Sequence, residues 1–308
     1  MSRVRTLIVG LGAIGMRALV EAIKDPQLEP TAAVDPKQSG MEVAGLTVHT
    51  DLVDCKEVDA DVALVATGSS VEQVYEQVML AVELGLDVVS TCEELAYPWQ
   101  RNALLAAELD RHARKYGCTI VGTGVNPGFV MDSLPVVLAS ACLRPQGLSV
   151  TRRANLARRR PQLRDKCGVG MSESRWHAAN EDHGMGHRGL VESTLLCAKG
   201  LGWEFAGDVV FRREPLIGDD GTVVGIHETA EGCTAEGRKV SLALVFQMGA
   251  EDEDVVEVEA TTPLRVRLEG GVQGEEATIA RFLHAARMVG TMAPGLCLPI
   301  EVPGWTST

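Results

Sequence analysis

Residues 5–23 read RTLIVGLGAIGMRALVEAI, and the glycines divide this stretch into two patterns. The first five residues are a short β-rich run of the kind that forms a strand. From Ile14 onward the apolar residues recur with the spacing of a helix. Between the two patterns, Gly10, Gly12 and Gly15 form a GxGxxG motif. This stretch therefore predicts a strand, a tight glycine turn and a helix.

The strand-then-helix pattern recurs along the first half of the chain. Further runs that are typical of strands are Pro30–Val34, Val62–Ala66, Val88–Ser90 and Thr119–Gly122. Short apolar strands that alternate with helices predict an α/β fold, a Rossmann-type doubly wound parallel sheet. In such a sheet, ligands bind at the carboxyl ends of the strands.

The second half has a different pattern. Apolar and other residues alternate over 240–248 and again over 264–269, as they do in half-exposed antiparallel strands. A helical stripe over 279–286 follows and ends before the MAPG segment, because proline cannot continue a helix. We therefore predict a dinucleotide-binding domain (1–135), a largely antiparallel α+β domain for substrate and dimerisation (136–274), and a C-terminal helix and tail (275–308) that pack on the first domain.

Composition excludes several classes of protein. A net charge of −13 makes nucleic acid an unlikely partner, and 45% hydrophobic with 23% charged residues indicates a folded chain. Charged residues interrupt every apolar stretch, so no membrane-spanning segment is predicted. The eight cysteines are too far apart for a thiolate zinc site or a redox pair. We expect a cytoplasmic protein with no metal.

Asp35 follows Gly15 by 20 residues and ends the second predicted strand. A carboxylate there accepts hydrogen bonds from a ribose diol and repels a 2′-phosphate, which favours NAD. Lys37 could offset that repulsion, so NADP remains open; alternatively Lys37 is a solvated loop residue. The predicted cofactor-binding residues are Gly10, Leu11, Gly12, Ala13, Ile14, Gly15, Asp35, Lys37, Thr67, Gly68, Ser69, Thr91 and Asn126.

Two adjacent carboxylates, Glu93 and Glu94, follow the strand that ends at Ser90. A hydride-transferring enzyme needs a group that moves protons while carbon changes its oxidation state, and a glutamate can perform this task. We predict that one of the two is catalytic, since only one should face the ligand at such a corner. The alternative is that both stabilise the start of a helix.

Further residues form a predicted substrate pocket. Asn126 can orient the nicotinamide or the substrate and Phe129 can form a pocket wall, although a rigid Pro–Gly turn is the alternative. In the second half the candidates are Arg152, Trp176, His177, His183 and His187. Gly184 and Gly186 weaken a helix that would bring His183 and His187 onto one metal, so pocket wall or structural loop is preferred.

Five segments carry a resemblance to a known family. They are GLGAIG (10–15), STCEELAYP (90–98), GTGVNPGFVMDSLP (122–135), GHRGLVES (186–193) and APGLCLP (293–299). Together they resemble the 2,4-diaminopentanoate dehydrogenase family, which includes the native amine dehydrogenases and has a dihydrodipicolinate reductase-like fold. The resemblance implies a homodimeric NAD(P)-dependent enzyme that interconverts a carbonyl plus ammonia with an amine. It also implies that a glutamate of TCEEL takes part in the reaction.

The layout is also similar to the glucose-fructose oxidoreductase family, whose EKP motif carries a lysine. Overlaying TCEEL on that motif puts Glu94 at the lysine position, which favours Glu94 as the proton-transfer residue over Glu93. The leading hypothesis is an amine dehydrogenase. One alternative is action on 2,4-diaminopentanoate, whose carboxylate would need a cation such as Arg152 or Arg153. The other is a catalytically silent protein that senses a dinucleotide.

Overall fold

The computed structural model describes residues 3–180 and 185–304. The chain divides into two compact units. The first unit comprises the residues up to Phe129 and those from Gly274 onward, and the second comprises Val130–Gln273. The sequence puts the first boundary at 135, a few residues further along the chain.

The elements follow one another in this order. The first stretch of the first unit contains β1 (Val4–Val9), α1 (Ala13–Lys24), β2 (Leu28–Val34), β3 (Glu42–Val43), β4 (Leu46–His49), β5 (Val62–Val65), α2 (Val71–Glu83), β6 (Asp87–Ser90), α3 (Ala103–Tyr116) and β7 (Thr119–Gly122). The second unit contains α4 (Ser133–Ala139), β8 (Gly147–Asn155), α5 (Pro161–Cys167), α6 (Glu173–Asn180), α7 (Leu190–Leu201), β9 (Val210–Ile217), β10 (Val223–Cys233), β11 (Lys239–Gln247), β12 (Glu253–Glu259) and β13 (Leu264–Glu269). The chain then returns to the first unit with α8 (Gly274–Met288) and β14 (Gly295–Cys297).

The first unit contains an eight-stranded sheet in the order β14-β7-β6-β5-β1-β2-β4-β3. Strand β1 pairs in parallel with β2 on one side and with β5 on the other, so the strand order reverses between β1 and β5. The five predicted strands are all present, which confirms the doubly wound parallel sheet. Their carboxyl ends lie at one edge, which is where the ligand crevice of such a fold forms.

A hairpin at the β3 end of this sheet is absent from the sequence prediction. Strands β3 and β4 pair antiparallel, and Ala44 (φ 52°) and Gly45 (φ 82°) connect them. Positive φ at both positions is typical of the type I′ turn that matches the twist of a hairpin. The two strands are two and four residues long and mostly exposed or half-buried, too short for hydrophobic periodicity to give a signal.

Two apolar clusters cover the faces of this sheet. Helices α2 and α3 pack on one face, where Val74, Val78 and Leu109 are fully buried. Helices α1 and α8 cover the other, where Leu19 of α1 and Phe282 of α8 are fully buried. The last helix of the chain is therefore part of the core of the first unit.

The second unit is built on a six-stranded sheet in the order β13-β12-β8-β11-β10-β9. All its neighbouring pairs are antiparallel except β8 and β11, which pair in parallel. The largely antiparallel character predicted from the sequence is confirmed. Helix α7 packs on β10 and β11, against the face that carries Val240, Leu242 and Leu244.

Candidate active site

The glycine turn between β1 and α1 depends on three different properties of its glycines. Gly10 has a φ of +91°, a conformation that side chains oppose. A Cβ on Gly15 would overlap the carbonyl oxygen of Gly10, so Gly15 allows α1 to approach the turn closely. A Cβ on Gly12 would meet nothing within 4 Å, and no side chain caps the N-terminus of α1 there. Backbone N–H groups at this terminus can therefore face a ligand.

Asp35 stabilises this turn. One carboxylate oxygen accepts from the Leu11 N–H at 2.8 Å, and the other accepts from the Lys37 N–H at 2.9 Å. The side-chain amide of Gln38 adds a bond to the Leu11 carbonyl oxygen at 3.1 Å. Asp35 is only partly buried, so its remaining lone pairs can accept from a further donor. The Lys37 side chain is exposed.

The segment 67–70 leaves the adjacent strand β5 at the same edge. The Gln73 side-chain oxygen accepts from the N–H groups of Ser69 and Ser70, at 2.9 and 3.2 Å. A Cβ on Gly68 would press against Gln73 at 2.8 Å. The N-terminus of α2 is thus capped by side chains of the chain itself, unlike that of α1.

Glu94 is buried, with a relative exposure of 2%. Its Oε2 accepts from the Val71 N–H at 3.1 Å and from the Asn102 side-chain amide at 3.3 Å. Its Oε1 accepts from the Arg101 guanidinium at 3.2 Å. The carboxylate therefore joins the start of α2, the corner after β6 and the segment before α3.

Glu93 precedes this buried residue and is only partly buried. The Thr91 N–H donates to the Val65 carbonyl oxygen at 3.0 Å, which holds the corner after β6 against the end of β5. Cys92 is buried, and burial raises the pKa of its thiol to about 12, which disfavours the reactive thiolate at this corner. A Cβ on Gly122, at the end of β7, would lie 2.5 Å from the Leu95 carbonyl carbon. Glycine there lets the corner pack directly on β7.

The loop after β7 carries two more predicted residues. Asn126 is buried and its bond to Pro127 is cis. Phe129 is partly buried, and the Arg281 guanidinium lies 5.4 Å from the centre of its ring. All predicted residues of the first unit thus follow carboxyl ends of the parallel strands, at one edge of the sheet.

Arg152 in the second unit is fully engaged with its own unit. Its guanidinium contacts both carboxylate oxygens of Asp254, at 2.9 and 2.8 Å, and donates to the Val272 carbonyl oxygen at 2.6 Å. Arg152 and Asp254 are 3% and 1% exposed. Asp254 also accepts from the Val272 N–H at 2.7 Å, so the pair fixes the chain just before α8. Arg153 points away from this pair and is exposed.

The aromatic and histidine candidates differ in their surroundings. Trp176 is fully buried, and its indole N–H donates to the Cys167 carbonyl oxygen at 3.1 Å. The His177 ring is mostly exposed and lies 3.7 Å from Glu173, one turn earlier on α6. His187 is partly buried, with its ring edge-on to Phe246 at 6.0 Å between centroids. His183 lies outside the described residues.

Sequence reasoning missed a buried ion pair beside His187. Arg213 on β9 and Glu228 on β10 face each other across the antiparallel register, with Nε and Oε1 2.5 Å apart. Burial raises the pKa of the Glu228 carboxyl, and the Arg213 charge opposes that shift. The available signal was a glutamate at an inward position of an alternating strand, flanked by Ile226 and Ala230, which are both buried.

Neither a metal centre nor a membrane-spanning helix is present in the described ranges, 3–180 and 185–304. There, no three side chains of His, Cys, Asp or Glu come together as a metal ion would require. No helix in the same ranges is both long and apolar enough to cross a membrane.

The reversed strand order, the glycine turn at the end of β1 and the acidic end of β2 define the class of Rossmann-type dehydrogenases. A family model described as the 2,4-diaminopentanoate dehydrogenase C-terminal domain matches residues 129–305, more than half of the chain. The chain therefore belongs to the 2,4-diaminopentanoate dehydrogenase family, as the sequence motifs predict.

Individual proteins agree with this assignment. A 2,4-diaminopentanoate dehydrogenase from Acetoanaerobium sticklandii is 25% identical, over 98% of this chain and 94% of the relative. The structure of an amine dehydrogenase from Mycobacterium smegmatis matches with a TM-score of 0.84 at 19% identity, over 98% and 96% of the two chains. A dihydrodipicolinate reductase from Paenisporosarcina sp. TG-14 matches with a TM-score of 0.54 at 14% identity, over 95% and 96%. The two structures establish a shared fold.

Proposed function

We propose that this chain is an NAD(P)-dependent amine dehydrogenase, which interconverts a carbonyl compound and ammonia with a primary amine. Family membership and the names of its relatives support the reaction class. The observation that carries the proposal is the corner after β6, which brings one partly exposed and one buried glutamate to the edge where the glycine turn also lies.

The first unit suits a nicotinamide dinucleotide. The uncapped N-terminus of α1, with open space above Gly12, can receive the pyrophosphate, and Asp35 can accept from a ribose diol. Thr67, Gly68, Ser69, Thr91 and Asn126 lie further along the same edge, toward the nicotinamide half. When bound, the cofactor supplies or accepts hydride at the carbon that bears nitrogen. Residues 1–135 would thus bind the cofactor and 136–274 would serve substrate and dimerisation.

Asp35→Ala should raise the ratio of kcat/KM for NADPH to that for NADH by about tenfold or more, because a charge that repels a 2′-phosphate is lost. KM for both cofactors should also rise, since the Leu11 N–H loses its acceptor. Gln38→Ala is the matched control, because it loosens the same turn without removing a charge. Binding of both cofactors should weaken in this variant, and the ratio of the two kcat/KM values should not change. Steady-state kinetics with both cofactors measure these effects, and an unchanged ratio in Asp35→Ala contradicts the assignment.

The carboxylate pair supplies the proton chemistry. In reductive amination a carboxylate oxygen takes a proton from ammonium, which frees ammonia to attack the carbonyl carbon, and later returns that proton to the carbinolamine hydroxyl, which leaves as water and gives the iminium. A carboxylate beside the iminium also stabilises its positive charge. The overlay with the EKP motif favours Glu94, whereas exposure favours Glu93, because Glu93 is partly exposed and the Glu94 carboxylate is buried among three donors of its own unit. We therefore assign the proton transfer to Glu93.

Glu93→Gln should lower kcat by about 10² to 10⁴, the usual contribution of a general acid–base group, and leave stability nearly unchanged. Glu94→Gln is its matched neighbour. It should lower the free energy of unfolding by about 1–3 kcal/mol, because a buried charged hydrogen bond is lost, and reduce kcat less than about tenfold. Urea unfolding and steady-state kinetics on both variants test this. The reverse pattern would return the proton transfer to Glu94, and two fully active variants would exclude a carboxylate mechanism.

The substrate class depends on whether a cationic side chain of this protein can bind a carboxylate of the substrate. Arg152, the predicted anchor for an amino acid, is bonded to Asp254 and Val272, and Arg153 is exposed. Because Arg152 is already bonded within its own unit, we favour amines and carbonyl compounds without a carboxylate as the substrates. The curated relative's name favours the second candidate, 2,4-diaminopentanoate.

An assay decides between these candidates. NADH or NADPH oxidation is followed with ammonia and a panel of small ketones, aldehydes and amino-ketoacids. Ammonia-dependent turnover of uncharged carbonyl compounds, with kcat/KM above that of amino-ketoacids, is expected. Preference for the amino-ketoacids would identify a 2,4-diaminopentanoate dehydrogenase. Cofactor binding without turnover of any compound would indicate a dinucleotide sensor and contradict the proposal.

We further infer a homodimer, in the cytoplasm, formed through the six-stranded sheet. A row of small, uncharged residues crosses its less buried face: Thr229, Ala243, Thr151 and Val255 are in register. Arg212 and Arg267 continue that row at its two ends and are exposed. A centre of small, uncharged side chains with a charged rim suits a second copy of the same face.

Light scattering at micromolar concentration should give twice the mass of one chain. Ala243→Arg, at the centre of that row, should give the mass of a single chain, because two opposed arginines cannot be buried unpaired. Circular dichroism checks that the variant is folded. A monomeric unsubstituted protein, or a dimeric Ala243→Arg protein, contradicts this interface.

A further inference from the structure

The buried pair Arg213–Glu228 is connected to a single residue of the neighbouring loop. Glu228 Oε1 accepts from the His187 N–H at 2.9 Å, and the Arg213 guanidinium donates to the His187 carbonyl oxygen at 2.9 Å. Both main-chain polar groups of His187 are therefore bonded to the two partners of one ion pair. Glu228 is completely buried and the Arg213 side chain is 9% exposed.

The surrounding residues fix this arrangement further. Gly186 has a φ of +79°, and a Cβ there would overlap both Arg213 and Glu228. Glycine thus lets the loop lie directly on the pair. Arg213 also donates to the side-chain oxygen of Asn180, the last residue of α6, at 3.3 Å. The pair consequently joins α6, the loop at 186–187 and two strands of the sheet.

A buried ion pair is a poor source of stability, because the desolvation of both charges offsets their attraction. Apolar residues of similar size at these two positions would stabilise the sheet at least as much as the ion pair does. Charged groups at these positions do what apolar groups cannot: each makes a directed hydrogen bond to the His187 backbone. The planar guanidinium fixes the direction of its bond more strictly than an ammonium would.

We propose that Arg213 and Glu228 are positioning residues for His187, whose imidazole contributes to binding of the carbonyl substrate. The pair acts through the His187 backbone, which sets where the ring lies against Phe246. The part concerning substrate rests on the proposed amine dehydrogenase function. The claim that the pair positions the His187 ring does not depend on that function. The positioning role and the substrate-binding role can therefore fail separately.

A double-mutant cycle in the full-length protein tests the kinetic part. His187→Ala and Glu228→Gln should each raise KM for the carbonyl substrate by about tenfold, with kcat and KM for NADH within about threefold. In the His187→Ala background, Glu228→Gln should add less than about twofold, because its effect passes through the missing ring. Asp254→Asn, which breaks the buried pair Arg152–Asp254 of the same sheet, is the matched control and should act equally in both backgrounds. Equal effects of Glu228→Gln in both backgrounds overturn the proposal.

If the Glu228→Gln protein does not fold, Arg213→Lys takes its place in the cycle. Lysine keeps the positive charge but lacks the guanidinium that donates to the His187 carbonyl oxygen. Histidine ring NMR signals, with His187 assigned from His187→Ala, provide a readout independent of activity. The His187 signal should shift in Glu228→Gln or Arg213→Lys and stay in Asp254→Asn. An unmoved signal overturns the positioning role. Absence of ammonia-dependent turnover in the unsubstituted protein, with the expected NMR shift, contradicts the proposed function and leaves the positioning role supported.

Discussion

A carboxylate buried beside a helix N-terminus must be bonded on both oxygens, and Glu94 satisfies this requirement with donors from two segments, at Val71 and at 101–102. Those segments begin at the carboxyl ends of two neighbouring strands, β5 and β6. The contact therefore determines how the loops after the two strands lie relative to each other. The N–H of Glu94 itself bonds to the Ser69 carbonyl oxygen at 3.3 Å, which reinforces the same connection. The geometry of the predicted reactive corner depends on this one buried charge.

The second unit uses buried charge in a comparable way. Arg152 and Asp254 together bond both main-chain polar groups of Val272, and Arg213 and Glu228 do the same for His187. Each pair fixes one backbone segment that leaves or borders the sheet. The two fixed segments differ in their place in the chain. Val272 precedes α8, whereas His187 lies in the GHRGLVES segment, which is part of the family resemblance. Of the two fixed backbone segments, only the one at His187 contains a predicted substrate residue.

The sequence predicts well the features that local chemistry determines. Gly10 and Gly15 are recognisable because the turn tolerates no side chain there, and the five parallel strands because they are short and apolar throughout. It fails where the outcome depends on partners distant in the chain. Burial of Glu94 depends on a free N–H at Val71, and engagement of Arg152 on a carboxylate a hundred residues away at Asp254. No spacing in the sequence indicates which cation has a partner.

The adjacent glutamates illustrate why a dipeptide of identical residues can have two roles. Successive residues on a tight helical turn point about 100–120° apart, so the side chains of Glu93 and Glu94 point in different directions. One must turn toward the interior, where it needs donors, and the N–H of Val71 and the guanidinium of Arg101 provide them. Like charges on adjacent residues also repel, and Arg101 offsets that repulsion by bonding to Glu94. The buried carboxylate, neutralised by its partner, thus holds the corner at the sheet edge, and its partly exposed neighbour lies at the same edge.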